Sequence, residues 1–257
     1  MRKICTLIFA MLLFLASCKQ ESKEASVGLN IHYSVDGKEL VTDSLCYQNE
    51  AGNQFLITEI QWFISNIEIK DAEGKWLPLN QDGHIFYLDE NDNLAKEFTS
   101  QFIPIGQYVA LRFTFGLDES DNQTGLFVNP PESDMFWPEP LGGGYHYMKL
   151  NGKWLDENGC LSPINVHLGI GQNEDLTEFY QNYFQVEIPF EQTLNATADS
   201  QHRLQIDMDI ANWFRNPHTY DFNVWGGAIM QNQAAQQVLK ENGQDVFDVE
   251  IIPFLYE

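Results

Sequence analysis

The chain has 257 residues, with 37 Asp+Glu against 14 Lys+Arg, a formal net charge of −23 and 44% hydrophobic residues. That balance excludes nucleic acid as a partner, since phosphate backbones are bound by basic footprints. The four cysteines include no CxxC pair, which argues against a thiolate zinc site.

Residues 1–17, "MRKICTLIFAMLLFLAS", join a basic start at Arg2 and Lys3 to an apolar run too short to span a bilayer, the pattern of a secretory signal. Leu15-Ala16-Ser17-Cys18 resembles a bacterial lipobox, so Cys18 is expected to carry lipid and to hold the protein on a membrane at the cell envelope, with the outer membrane the expected site. Loss of residues 1–17 removes two positive charges and no negative one, leaving 12 basic and 37 acidic side chains, a net charge of −25. Residues 18–28 read as a polar tether, and 29–257 as one domain, because no later stretch has the composition of a linker. Cys46 and Cys160 are the candidate pair for one disulfide in an oxidising compartment.

Short apolar runs separated by Gly, Asn, Asp and Pro then dominate, which predicts an all-β fold. The run "FLITEIQWFISNIEIK" is apolar on both sides for part of its length, as in a central strand, and Gly74 closes a turn after it. "DENDNLAKEFTS" starts like a calcium loop, but Leu94 and Ser100 stand where Gly and a bidentate Glu are needed. In "YVALRFTFGLD", Val109, Leu111, Phe113 and Phe115 share one face. The loop acids Asp118, Glu119 and Asp121 are read as solvated, since nothing sets the carboxylate spacing that glycoside hydrolysis requires.

Residues 134–154, "DMFWPEPLGGGYHYMKLNGKW", put three glycines before a histidine and a methionine. Glycines weaken a strand, so the triplet implies either a sharp turn that brings backbone close to a neighbour or a plain flexible loop. Taken as a strand, "GYHYMKL" projects His146 and Met148 to one face, a composition suited to copper, which accepts imidazole and thioether. "PINVHLGIGQ" leaves His167 at the end of an apolar run, followed by Gly169 and Gly171. Asn173 is placed to cap a helix in "EDLTEFYQNY", and "NQAAQQVLKENG" reads as a second helix ended by Gly243. Between them, "HRLQIDMDI" alternates apolar Leu204, Ile206, Met208 and Ile210 with polar residues. The whole predicts an immunoglobulin-like β-sandwich with long decorated loops and one or two short helices. Nucleophile-elbow, P-loop and dinucleotide motifs are missing, so the reading is a non-enzymatic binding protein.

The order "EIQWFISNIEI", "PIGQYVALRFTFGLD", "MFWPEPLGGGYHYMKLNGKW", "INVHLGIGQ" and "NPHTYDFNVWGGAIMQNQAA" resembles the MbnP-like family of secreted bacterial copper-binding proteins, in the lipoprotein form of the Bacteroidetes. The resemblance implies an all-β domain that binds copper, with His167 of "VHLG" the foremost ligand, His146 of "GYHYMK" next, and His32 and His218 as further candidates; Met148, from its spacing to His146, is another. In some members it also implies a diheme cytochrome partner that converts a tryptophan to kynurenine. Here Pro138 and Glu139 follow Phe136-Trp137 in place of a second tryptophan, and no tryptophan stands two residues from a histidine, which argues against that modification and that partner. Copper handling at the envelope is therefore the expected function; the alternative is a metal-free surface lipoprotein that binds a glycan or another envelope protein through exposed aromatic side chains.

Overall fold

The computed structural model describes residues 24–79, 83–92 and 97–252, with the backbone alone for 97–100. The stretch read as a secretory signal, and Cys18, lie outside these residues. Along the chain run β1 (Glu24–Val35), β2 (Lys38–Glu39), β3 (Tyr47–Gln48), β4 (Gln54–Asp71), β5 (Trp76–Pro78), β6 (Ile85–Asp89), β7 (Glu97–Pro104), β8 (Gly106–Phe115), β9 (Met148–Leu155), β10 (Leu161–Leu168), β11 (Gly171–Gln172), β12 (Phe179–Tyr180), β13 (Phe184–Ala196), β14 (Gln201–Asp209) and β15 (Phe247–Ile252). Two helices, α1 (Phe222–Trp225) and α2 (Gln233–Asn242), precede the last strand.

The strands form an all-β sandwich. One sheet has the order β15-β14-β1-β2, with β7 also on β1; the other has the order β10-β9-β4-β8-β13, with β3, β5 and β6 also on β4. The β1/β14 pair is parallel and the other strand pairs are antiparallel. Period-two alternation turns Leu29, Ile31 and Tyr33 of β1 and Leu204, Ile206 and Met208 of β14 inward, against Ile60, Trp62 and Ile64 of β4. Contact across the layers is direct: Trp62 Nε1 donates to the Tyr33 hydroxyl at 3.0 Å, and the Phe113 and Phe247 rings meet edge to face at 5.2 Å. Burying each such large side chain contributes about 2 kcal/mol, so the aromatic centre is the main stabilising feature.

Local signals decided most elements as expected, with three corrections. The first strand begins at Glu24, inside the stretch read as tether, because Ala25 and Val27 enter the core and β1 pairs with β7 from Glu24 on. No helix forms in 174–183: Leu176 has a φ of 54°, and the Asn173 carboxamide oxygen accepts from the Thr177 and Glu178 amides, closing a loop before β12. The predicted second helix does form, as α2, with the Asn232 side chain as its N-cap and Gly243 as its C-cap. Cys46 and Cys160 are both exposed and unbonded. They sit beside β3 and at the start of β10, with β4 and β9 between, and three strand spacings amount to roughly 14 Å, twice the span of a disulfide.

Candidate metal centre

The outer face of β4, β9 and β10 carries a polar row. Gln61, Lys149 and His167 are direct cross-strand neighbours, and Glu59, Asn151 and Asn165 form the next row. Alternation that points Met148, Leu150 and Trp154 into the core leaves Lys149 and Asn151 outside. Over this face lies the segment from the 3₁₀ turn Glu132–Met135 to Tyr145. It folds back on itself, since Phe136 pairs with Tyr145 and the Trp137 amide donates to the Gly144 carbonyl at 2.9 Å.

The glycine triplet makes that fold possible. Gly142, Gly143 and Gly144 have φ of 113°, 70° and 78°, in the left-handed region that side chains disfavour. A Cβ on Gly144 would stand 2.3 Å from Asn122 Oδ1, the atom that accepts from the Tyr145 amide. The triplet is thus a built turn and not a flexible loop. It delivers His146 onto the Met135 carbonyl, which accepts from the His146 amide at 2.6 Å and from its Nδ1–H at 2.9 Å.

A carbonyl only accepts, so His146 carries its proton on Nδ1 and Nε2 holds a lone pair; that Nε2 is buried and has no hydrogen-bond partner. His167 is set the opposite way. Asn151 Nδ2 donates to Glu59 at 2.8 Å, which turns its Oδ1 toward His167, and His167 Nε2–H donates to that oxygen at 2.8 Å. The lone pair of His167 therefore lies on Nδ1. The two rings meet edge to face, with centroids 5.0 Å apart. Trp137 closes the other side, 4.7 Å from His146, its ring packed on Gly169, where a Cβ would lie 2.6 Å away.

Burial pushes the His146 pKa down to about 3, aided by His167 and Lys149 and opposed by the Met135 hydrogen bond. His167 is pushed down to about 4, by burial and then by Lys149. Both imidazoles are neutral at physiological pH. The pair thus offers two fixed nitrogen lone pairs inside a water-poor site, which fits a soft ion content with low coordination.

The other expected ligands stand elsewhere. Met148 begins β9 and is fully buried in the core, on the opposite face of the strand from Lys149 and His167. Because His146 precedes the strand, the two-residue rule does not join it to Met148. His32 lies on the outer face of the other sheet, its Nδ1 2.5 Å from Asp207, a full sandwich thickness away. The His218 imidazole is held by Glu241 near the end of α2. Among the described residues no cluster of three or more His, Cys, Asp and Glu side chains is placed to hold a metal ion. Sequence reasoning missed Asn151, Glu59 and Lys149, whose signal was their alternation with core residues in β4 and β9.

Fold and site together define an all-β sandwich protein in which a buried and a half-buried histidine pair beside a glycine-turned covering segment. The chain belongs to the MbnP family, whose model matches residues 24–232. Among solved structures it is similar to MbnP from Methylosinus trichosporium, at 19% identity and a TM-score of 0.49, with 75% of this chain and 78% of that chain covered. No curated protein matches.

Proposed function

We propose that this MbnP-family protein binds copper as Cu(I) between His146 Nε2 and His167 Nδ1, as a lipid-anchored protein that acquires or handles copper at the cell envelope. The observation that carries the reading is the buried, unpartnered Nε2 of His146 beside a second imidazole whose proton is fixed on its far nitrogen. A neutral imidazole is the form that binds metal, and two of them would supply neutral nitrogen donors of the kind a soft ion such as Cu(I) accepts. The covering segment keeps water out, Asn151 and the Met135 carbonyl hold the rings, and neither step needs a metal already in place.

Competition of the purified mature protein with a Cu(I)-chelating dye tests the reading. His146→Ala and His167→Ala should each lower Cu(I) affinity at least tenfold, the order of loss that even outer partners of a metal site cause. His202→Ala, on β14 beside Ser200, should leave it unchanged. Equal affinity in the wild type and a folded His167→Ala protein would exclude the site. Anchoring rests on the lipobox-like stretch; Cys18→Ser should move the protein from the membrane to the soluble fraction, and pelleting of that variant with membranes would refute it.

A further inference from the structure

The polar row beside the histidine pair holds one cation. Lys149 is the direct cross-strand neighbour of His167, on the same face of the β9/β10 pair, where Cβ atoms of facing residues lie about 5 Å apart. Its Nζ donates to the Asp134 carbonyl at 2.6 Å, so the ammonium is tied to the segment that covers the site. The neighbour on its other flank is the uncharged Gln61, whose amide is engaged by Asp89. The nearest acid on this face, Glu59, stands opposite Asn151, and its carboxylate accepts from that side chain.

We infer that Lys149 is a specificity-determining residue that makes the histidine pair select a monovalent ion over a divalent one. This rests on the metal reading above. Both donors are neutral imidazoles and, among the described residues, no carboxylate joins them, so an incoming ion brings the positive charge that the two donors lack. Lys149 repels that charge in proportion to its size, and a doubly charged ion meets twice the repulsion of a singly charged one. Burial strengthens the effect, because a half-buried ammonium is poorly screened by water and salt.

The test compares Lys149→Gln, Lys149→Arg and the wild type by anaerobic Cu(I) competition, Zn(II) competition with a chromophoric chelator, and redox titration of the copper-loaded protein. Losing the charge should raise Zn(II) affinity about tenfold and Cu(I) affinity about threefold, the square root of the first, as the charge ratio requires. The copper midpoint potential should fall by about 30 mV, the threefold difference converted at 59 mV per tenfold for one electron. Lys149→Arg should stay within about twofold of wild type, since it keeps the charge. If Lys149→Gln fails to fold, Lys149→Met, which retains the apolar stem, serves for the comparison. An unchanged Cu(I):Zn(II) ratio and potential in a folded variant would overturn the inference while leaving the copper site intact. Equal loss of both metals with a changed near-ultraviolet circular dichroism would make Lys149 a strut for the covering segment, and so overturn it too. Failure of the wild type to take up Cu(I) would strike the copper reading itself and this inference with it.

Discussion

The proton positions on His146 and His167 are each set by a single acceptor, and the two acceptors differ in how they are held. Met135 offers a backbone carbonyl, fixed by the 3₁₀ turn; Asn151 offers a side-chain oxygen whose orientation depends on Glu59. Of the two, Asn151 is the one a substitution can remove. Asn151→Leu should free His167 to change tautomer and rotate, and should lower Cu(I) affinity by about 10–100-fold. Circular dichroism should remain that of the wild type, because Asn151 lies on the outer face of β9, away from the core side of the strand. Undiminished affinity in the folded variant would show that the amide relay does not orient the ring.

At the level of elements, the turn at 142–144 does what neither strand alone achieves: it reverses the chain so that a histidine outside β9 lies over a histidine within β10. Gly144→Ala would place a methyl group 2.3 Å from Asn122 Oδ1 at a φ of 78°. A left-handed alanine costs about 1 kcal/mol and the forced shift of Asn122 about 1–3 kcal/mol more. Gly37→Ala is the matching control, with a φ of 69° and nothing within 4 Å of its added Cβ, so only the backbone cost applies. Urea unfolding should therefore show a loss of about 2–4 kcal/mol for the first and about 1 kcal/mol for the second. Similar losses in both would mean that the contact with Asn122 yields freely. The Asn173 loop teaches the converse: a residue that caps helices caps a loop here, because β11 and β12 pair and leave no room for a helical turn.

For the molecule as a whole, the histidine pair links stability to pH. Folded-state pKa values of about 3 and about 4 lie below the usual imidazole value of about 6.5. Between these limits the unfolded chain binds protons that the folded chain refuses, so stability is complete above about pH 6.5 and falls as pH drops toward 4. Each histidine contributes a slope of about 1.4 kcal/mol per pH unit where only the unfolded form is protonated. Asp118 and Glu241, whose carboxyls are held below their ordinary values mainly by hydrogen bonds, add losses only at lower pH. Metal-free wild-type protein should show urea midpoints that decline from pH 7 to 4.5, and the His146→Ala/His167→Ala double variant should show a shallower decline. Relief of self-repulsion in so acidic a chain acts on both alike, so the difference between the curves isolates the pair. Parallel curves would mean that the two rings take up protons without cost in the folded state.

What the amino-acid order decided by itself is what local periodicity can carry. Alternation in "HRLQIDMDI" was enough for β14, and in "YVALRFTFGLD" for β8 except at Val109, where a register shift buries Tyr108 in its place; the capped and glycine-ended run at 232–243 was enough for α2, and the glycine triplet for a turn before His146. The pairing of His146 with His167 was legible because glycines precede the one and follow the other, and because the chain resembles its family there. Tertiary structure alone decided which faces meet. Register across β4, β9 and β10 puts Lys149 beside His167 and Glu59 behind Asn151; it also turns Met148 inward and leaves His32 on the far sheet. No local pattern encodes those placements, since a strand's alternation gives two faces without saying which one becomes the core and which neighbour will lie across it. That choice falls to the burial of the aromatic centre, where Trp62, Phe113 and Phe247 gain most by facing one another.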